Sequence, residues 1–395
     1  MDVSGVRNQT GSQTGRAWMG IFSGFCASLV GIGMARFAYT PLLPAIIGAH
    51  WFQPSAAAYL GAANLAGYLA GALAGRPLAT RMTAPSALRT MMFLATSSFF
   101  ACAYPLGFSW FFVWRFCAGL AGGVLMVLAA PTVLPHLPSS RRGLAGGVIF
   151  MGVGVGIAAS GTFVPLLLNQ GLQRSWVGLG AISLLLTLAS WVGWPAEEIV
   201  PRSKPHKIPG TVALRALYVE YALNAVGLVP HMLFLVDFVA RGLGNGIRTG
   251  AEYWVLFGLG AVVGPILSGH LADRLGFARF LRVSYLVEAA AVLLPALGGG
   301  AAWLMLSSAV VGAFTPGIVP LVLGRVHELL AHHPAGQNAA WSKATVSFAT
   351  FQAAAAYGLS YIFAQTGDYR QLFIIGAVAM LLAFAIDVLA GGKIQ

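Results

Sequence analysis

The stretch SWFFVWRFCAGLAGGVLMVLAAPTVLP, residues 109–135, contains a single charged side chain, Arg115. An α-helix rises about 1.5 Å per residue, so about 20 apolar residues cross a hydrocarbon core about 30 Å thick. The apolar residues here are continuous, whereas a transmembrane β-strand would alternate apolar and polar side chains. Because lipid offers the backbone no hydrogen-bond partners, the stretch is predicted to form a membrane-spanning helix.

The rest of the chain has the same character. Of its 395 residues, 58% are hydrophobic and 9% are charged, whereas soluble domains average roughly 45–50% apolar and about 25% charged residues. A soluble protein is therefore excluded. The formal net charge of +12 would suit a nucleic-acid partner, but the basic residues flank the apolar runs, so we expect no nucleic acid to bind.

Twelve apolar runs are separated by clusters of charged residues, proline and glycine, which predicts an all-α membrane protein with twelve transmembrane helices. The first run is too long for the core of a signal peptide and is interpreted as an uncleaved helix. The predicted spans are residues 17–48, 55–76, 87–106, 109–135, 143–169, 174–194, 213–240, 250–271, 278–298, 301–325, 337–364 and 369–391.

Lysine and arginine are distributed unevenly between the two sides of the membrane that these spans define. Sixteen lie on the side of the N-terminus and four on the opposite side, and the other three lie within or beside helices. Cytoplasmic loops of membrane proteins carry the excess of these residues. Both termini are therefore predicted to be cytoplasmic.

The longest polar segment between two spans, AEEIVPRSKPHKIPG, divides the chain near its midpoint. Its prolines and charges indicate a linker. We predict an N-terminal six-helix bundle at residues 1–195, a cytoplasmic linker at residues 196–212 and a C-terminal six-helix bundle at residues 213–395.

The two predicted halves show traces of a repeat. LATR at residues 78–81 resembles LADR at residues 271–274, and PTVLP at residues 131–135 resembles PGIVP at residues 316–320. Two matches at nearly one offset suggest parallel internal repeats, an arrangement of one large class of transporters.

The same loop carries a family signature. GHLADRLG at residues 269–276 resembles the cytoplasmic-loop signature of the major facilitator superfamily, and RFCAG at residues 115–119 resembles a pattern in its fourth helix. GIGMARFAYTPLLP at residues 31–44, together with GAANLAGY at residues 61–68, is similar to the YbfB/YjiJ-like group of bacterial transporters. The resemblance covers essentially the whole chain.

This resemblance implies two pseudo-symmetric six-helix bundles around a central cavity, in a bacterial inner (cytoplasmic) membrane. It implies a solute transporter that opens the cavity to one side of the membrane at a time. At the cytoplasmic end it implies gating by Asp273 and Arg274, with Arg81 in the matching loop of the first half. Thr80 stands where that first loop would carry its acidic residue, so the latch is incomplete there.

Ionisable residues inside the predicted spans are candidates for the transport site, because each costs at least ~2.5–3.5 kcal/mol at the centre of a membrane helix. Arg36 needs a carboxylate partner or an anionic ligand, so it either binds solute or pairs helices together. Arg115 belongs to a coupling site by the resemblance, or else serves as an interhelical hydrogen-bonding post. The predicted substrate-binding residues are Arg36, Tyr39, Arg115, Asn224, His231 and Gln352.

The seventh span is the richest in polar residues. Glu220, Asn224, Gly227 and His231 follow one another at spacings of 4, 3 and 4, which places them on one helix face. We predict that this face is wet and that Glu220 carries a coupling proton with the help of His231. The alternative is that Glu220 permanently neutralises Arg36 or Arg115.

Later spans add further polar residues. A second predicted stripe on the eleventh span consists of Lys343, Ser347, Thr350, Tyr357 and Tyr361, with Gln352 lying off it. Glu288 and Asp387 fall on helices that the facilitator fold places at the lipid periphery, and both are predicted to be structural or to reach towards the membrane surface.

Other chemistries find no matching motif. His327 and His332 are five residues apart, whereas the zinc-protease motif needs a spacing of four on one helix face, so we expect no metal site. We find no nucleophile converging with a base and no nucleotide-binding loop, and we expect neither enzymatic activity nor a cofactor.

We therefore predict a proton-coupled secondary transporter, and the two arginines favour a small organic anion. An exporter of amphiphilic metabolites or drugs is the alternative within transport, and a transporter-like receptor or scaffold is the alternative outside it. The expected partners are the solute, protons and the lipid bilayer, and we expect a monomer.

Overall fold

The computed structural model describes residues 18–137, 139–195 and 211–391. Within these ranges all regular structure is helical, and twelve long helices follow one another along the chain. They are α1 (Trp18–Gly48), α2 (Pro54–Arg81), α3 (Ala84–Cys102), α4 (Phe108–Val133), α5 (Ser139–Leu168), α6 (Leu172–Ala189), α7 (Val212–Asp237), α8 (Gly246–Leu275), α9 (Phe277–Leu297), α10 (Ala301–Leu329), α11 (Pro334–Thr366) and α12 (Tyr369–Gly391). The prediction of an all-α chain with twelve long helices is confirmed.

Ten of these helices are long and apolar enough to cross a membrane, judged over the described residues by length and composition. The other two, α3 and α11, carry many serine and threonine residues. Several helices also run past their predicted ends, because a charged residue at a membrane surface does not stop a helix. α8, for example, continues to Leu275 and ends at Gly276, whose φ of +82° suits glycine.

The first helix is broken near its middle. Residues Leu29–Met34 form a π-helical segment, a turn follows at residues 35–38, and the helix resumes at Tyr39. The carbonyl oxygen of Ala35, at this break, accepts hydrogen bonds from Arg115 (2.9 Å) and Asn64 (3.4 Å). The break therefore fixes the position of the neighbouring Arg36.

Each half of the chain has an apolar core of its own. One cluster of buried side chains contains only residues between Ile21 and Trp194, and another contains only residues between Leu214 and Ala383. Within each half, helices pack closely at glycine. In the first half a Cβ on Gly71 would lie 2.0 Å from a backbone oxygen of α4, and in the second half one on Gly264 would lie 1.9 Å from a backbone oxygen of α10. Of the predicted linker, residues 196–212, residues 196–210 lie outside the described residues, and α7 begins at Val212.

Successive helices run in opposite directions, which gives the bundle two ends. We call the end where α1 begins the near end and the opposite end, where α1 finishes, the far end. At the far end the ring of Phe52, after α1, lies 5.0 Å from that of Phe111, at the start of α4. At the near end Arg89 in α3 donates to the carbonyl oxygen of Trp191, just after α6.

The two halves meet mainly along three pairs of helices. α5 packs on α8 where Gly154 faces Val262 and Gly258 faces Ala158, and α2 packs on α11 through small side chains. α1 contacts α7, where the Thr40 hydroxyl donates to the carbonyl oxygen of Met232. Gly154 and Ala158 of α5 thus lie between the halves.

Candidate transport site

Three side chains meet between the halves around one sulfur atom. Arg36 Nη2 lies 3.7 Å from Met232 Sδ, and Gln352 Nε2 lies 3.5 Å from the same atom. The Arg36 guanidinium also lies 5.0 Å from the ring centre of Phe37 and 5.1 Å from that of Tyr68. The structure thus brings together two predicted site residues, Arg36 and Gln352, with a methionine that sequence reasoning did not select.

Arg36 lacks the counter-charge that a buried cation normally has. Among the described residues, none of the ion pairs involves it, and the thioether and the rings are weak partners for a guanidinium. Arg36 Nε and Gln352 Oε1 are buried without a hydrogen-bond partner. The cluster of Arg36, Met232 and Gln352 can therefore accept an additional ligand, and a carboxylate fits the guanidinium best.

Arg115 and Tyr39 lie elsewhere, inside the first half. Arg115 is 2% exposed, and its guanidinium lies 4.3 Å from the ring centre of Tyr39, whose hydroxyl donates to the carbonyl oxygen of Ala57 (2.7 Å). A narrow pocket beside Arg115 is lined by Ser98, Cys102 and other residues of α3, α4 and α6. The structure does not bring Arg115 or Tyr39 to the Arg36 guanidinium.

The predicted stripe on α7 shares one face, and that face is buried inside the second half. Asn224 and His231 are fully buried and Gly227 packs on Met380 of α12. The Asn224 amide donates to Glu288 of α9, and His231 Nε2 lies 2.7 Å from Ser307 Oγ of α10. These polar partners lie within the second half, so the structure does not bring the stripe to Arg36 at the boundary between the halves. Met232 and Leu233, on another side of α7, face the first half instead.

Glu220 lies on the same helix, closer to the near end of the bundle, and is 3% exposed. The charged groups that act on its carboxylate are Asp387, Arg325 and Arg282. Arg36 and Arg115 have the other contacts described above. The structure therefore gives no support to permanent neutralisation of either arginine by Glu220.

The two acidic residues of α9 and α12 differ in their surroundings. Glu288 is fully buried and accepts the hydrogen bond from Asn224, so of the two roles predicted for it, the structure contradicts reaching towards the membrane surface and leaves the structural role. Periodicity alone did not show that its side of α9 faces α7. Asp387 pairs with Arg282 and joins α9 to α12.

The predicted stripe on α11 does not form one face of a site. Lys343 is exposed, Ser347 donates to the carbonyl oxygen of Tyr218 (3.0 Å), and Thr350 donates to its own helix at Val346. The Tyr357 ring centre lies 6.3 Å from that of Tyr59, across the boundary between the halves. Tyr361 is 58% exposed.

Two of the three predicted gating residues, Arg81 and Arg274, are exposed at the near end. Asp273 belongs to the last turn of α8, but its side chain lies outside the part of the chain that the structure describes. Among the described residues, no group of three or more histidine, cysteine or acidic side chains could hold a metal ion.

A buried acid at the far end was not selected from the sequence. Asp237 is fully buried, and its carboxylate accepts hydrogen bonds from Arg241 Nη1 (3.2 Å) and from the Tyr369 hydroxyl. The spacing of four between Asp237 and Arg241 is a helical pairing signal that could have identified it. Arg241 and Tyr369 also line a pocket of about 460 Å³ together with Gln53 and Ser55 from the first half.

Comparisons with known proteins agree with this architecture. A family model described as "Uncharacterised MFS-type transporter YbfB" matches residues 28–388. A protein of Streptomyces coelicolor described as a probable transporter is 27% identical over 269 residues. That match covers 66% of this chain and 62% of the relative, so the chain spans less than two thirds of that relative's length.

Solved transporter structures cover nearly the whole chain. The xylose transporter XylE from E. coli, in a partially occluded inward-open conformation, has a TM-score of 0.72 at 13% identity and covers 94% of this chain and 97% of its own. A bacterial homologue of the human lysosomal transporter Spinster, inward-facing and unoccupied, has a TM-score of 0.67 at 16% identity, with 95% and 96% covered. A D-xylose–proton symporter has a TM-score of 0.70 at 15% identity, with 94% and 96% covered. At these identities the likeness concerns the fold, and the predicted fold of two six-helix bundles is confirmed.

Proposed function

Because this chain belongs to the YbfB-type transporters of the major facilitator superfamily, we propose that it carries a small organic anion across the membrane by alternating access, with protons supplying the drive. The choice of an anion rests on one observation, the surroundings of Arg36. Its guanidinium lies between the halves and has no carboxylate partner among the described residues. A ligand carboxylate would supply two charge-assisted hydrogen bonds in place of a weak contact to sulfur.

The position of the site supports transport rather than passive packing. Met232 and Gln352 come from α7 and α11 of the second half, whereas Arg36 comes from α1 of the first. A ligand bound by all three would therefore draw on both halves. Movement of one half against the other then changes the access to the site, as alternating access requires.

The contacts between the halves support a state that is closed at the far end. Thr40 bonds to the Met232 carbonyl, the Phe37 and Trp254 rings lie 6.0 Å apart, and Trp254 Nε1 donates to Ser160 (3.1 Å). These contacts lie between the Arg36 level and the far end. Since Arg36 is nevertheless partly exposed, we assign its access to the near end.

The distribution of charged residues supports an orientation of the protein in the membrane, and the membrane potential supports protons as the driving ion. The excess of lysine and arginine on the near side supports a cytoplasmic position for that end, and for both termini, in a bacterial cell. With this orientation, the conformation that is closed at the far end is inward-facing. A proton crossing 100 mV releases about 2.3 kcal/mol, enough to drive accumulation of a solute. One protein of this fold is described as a D-xylose–proton symporter, which supports protons as the drive.

A second candidate is an exporter of amphiphilic metabolites or drugs. The observation that favours it is the lining of the site, because the Arg36 guanidinium lies between two aromatic rings and a thioether. Soft, adaptable side chains of this kind accept varied apolar ligands.

Purified protein reconstituted in liposomes with a trapped pH dye tests both candidates. Pools of small carboxylates and pools of cationic amphiphiles are added separately, with protein-free liposomes as the control. The proposed function predicts a change in dye signal with carboxylates. A signal with amphiphiles alone supports the exporter, and no signal with any pool contradicts proton-coupled transport.

A further inference from the structure

Buried polar atoms without partners are concentrated inside the second half. Polar atoms this far from solvent are normally hydrogen-bonded, so such a concentration indicates a place that accommodates protons or water. Six of them belong to α7, α9 and α10: Tyr218 Oη, Asn224 Oδ1, His231 Nδ1, Tyr285 Oη, Glu288 Oε1 and Ser308 Oγ.

The centre of this group is the pair formed by Glu288 and Asn224. Asn224 Nδ2 donates to Glu288 Oε2, which leaves Glu288 Oε1 and Asn224 Oδ1 both unpartnered. Both remaining atoms are acceptors when the carboxyl group is ionised. A proton on Oε1 turns the carboxyl group into a donor for Asn224 Oδ1, and the pair then satisfies itself.

Among the ion pairs of the described residues, none involves Glu288. The titratable groups that act on its charge are Tyr221 of α7 and Tyr285 of α9, both of which are neutral phenols. α12 contributes Asp387, which is already paired with Arg282. An ionised carboxylate that is fully buried without a counter-ion is strongly unfavourable.

The remaining neighbours of α9 do not change this balance. α10 contributes the hydroxyl groups of Ser307 and Ser308, and its charged residues Arg325 and Glu328 lie at the near end. On α8 the charged residues Arg248, Glu252 and Arg274 are exposed near the two ends of the helix. The geometry therefore favours a proton on Glu288 in this conformation.

A route for the proton leads to the near end. Tyr285 is fully buried, its hydroxyl has no hydrogen-bond partner, and it acts electrostatically with both Glu288 and Glu220. Glu220 lies one helical turn before Asn224, towards the near end of α7. Glu220 and Tyr285 thus lie between Glu288 and the near end of the bundle.

The opposite direction leads to His231. Ser307 donates its hydroxyl proton to the carbonyl oxygen of Ala291 (2.7 Å), so it accepts from His231, which must carry its proton on Nε2. The imidazole is fully buried, and the Phe373 ring packs edge-on against it at 5.1 Å. Towards the far end, Glu288 is thus followed by a buried imidazole and an aromatic ring.

We propose that the second half binds the coupling proton at Glu288, reached from the near end past Glu220 and Tyr285. This inference rests on the proposed proton drive, and it assigns the proton and the solute to separate sites. The two sites share α7, which presents Asn224 to Glu288 on one side and Met232 to Arg36 on another. Movement of α7 can therefore transmit the state of one site to the other.

Infrared spectroscopy of the purified protein in lipid nanodiscs tests the assignment without a solute. A protonated carboxyl group has a C=O stretching band that the ionised form lacks. We expect such a band at neutral pH in the wild type and in E252Q, a matched change at an exposed glutamate, and its loss in E288Q. An unchanged band in folded E288Q would overturn the proposal.

Two further arms keep the result decisive. If E288Q does not fold, N224V retains Glu288 but removes its amide partner, and the band should shift in frequency; an unshifted band counts against the assignment. In the liposome assay, E288Q should lose the dye signal that the wild type gives. Normal proton movement in E288Q would overturn this inference and leave the proposed function standing. A band that depends on Glu288, without any dye signal from the wild type, would instead overturn the proposed function and leave the proton site standing.

Discussion

Arg36 and Gln352, from opposite halves of the molecule, donate towards the same atom, the sulfur of Met232, at 3.7 and 3.5 Å. A thioether is a weak acceptor, so a ligand carboxylate can replace it at little cost. The contact is therefore suited to a site that alternates between an empty and an occupied state. It also gives the two halves a common point that responds to the ligand.

The glycines between α8 and α10 are expected to be essential for packing. A Cβ on Gly264 would lie 1.9 Å from the carbonyl oxygen of Ala313, whereas one on Gly269 of the same helix would meet no atom within 4 Å. We expect Gly264→Ala to destabilise the protein by about 1–3 kcal/mol, the usual range for overpacking. Gly269→Ala should be neutral or slightly stabilising, because alanine favours helix. Thermal unfolding in detergent measures both, and equal melting temperatures for the two variants would refute the packing argument.

The buried acid at the far end is expected to depend on its arginine. Arg241→Gln removes a charged hydrogen-bond donor from Asp237, which is fully buried, and should cost about 1–3 kcal/mol of stability. Arg248 pairs with Glu252 where both side chains are exposed, so Arg248→Gln should cost less than ~1 kcal/mol.

Denaturation of these two variants under identical conditions gives the comparison. A larger loss of stability for Arg248→Gln than for Arg241→Gln would show that the Asp237 cluster does not hold α7 to α12.

The bond between Thr40 and Met232 is expected to keep the far end closed. Thr40→Val removes a hydrogen bond worth about 0.5–1.5 kcal/mol, and the population with an open far end should rise roughly 2- to 12-fold. The reporter is Ala58→Cys, because Ala58 is buried between α2 and α11. Its reaction rate with an impermeant thiol reagent, in a background without native cysteines, measures opening.

Thr366→Val serves as the control, since Thr366 is exposed and its hydroxyl makes local hydrogen bonds, donating to the carbonyl oxygen of Ile362 and accepting from the Asp368 amide. The control should leave the labelling rate unchanged. If Thr40→Val also leaves it unchanged, the bond does not contribute to closure.

Sequence periodicity predicted the helices well because lipid imposes one length and one kind of secondary structure on every span. It gave the correct face of α7, but it could not give the neighbour of that face. Asn224 meets Glu288, 64 residues later in the chain, and that contact depends on tertiary packing alone. The sequence showed polar side chains, and water was the simplest partner to assume for them.

The arginines show the same limit. Arg36 and Arg115 each carry an isolated charge within a predicted apolar span. Arg115 bonds to the carbonyl oxygen of Ala35 where α1 is broken, and no residue pattern indicated that break. Arg36, one residue further along the broken helix, contacts the other half instead.

The initial rate of proton movement in proteoliposomes containing Arg36→Lys tests the central claim most directly. Lysine keeps the charge but cannot form the two-pronged contact to a carboxylate, and the loss of about 1.5–3 kcal/mol corresponds to roughly 10- to 150-fold weaker solute affinity. Arg370→Lys, the same change at an exposed position of the far end, is the matched control. We expect carboxylates to give the wild-type signal in Arg370→Lys and almost none in Arg36→Lys at the same solute concentration. Equal rates in the two variants would contradict the assignment of Arg36 as the solute-binding residue.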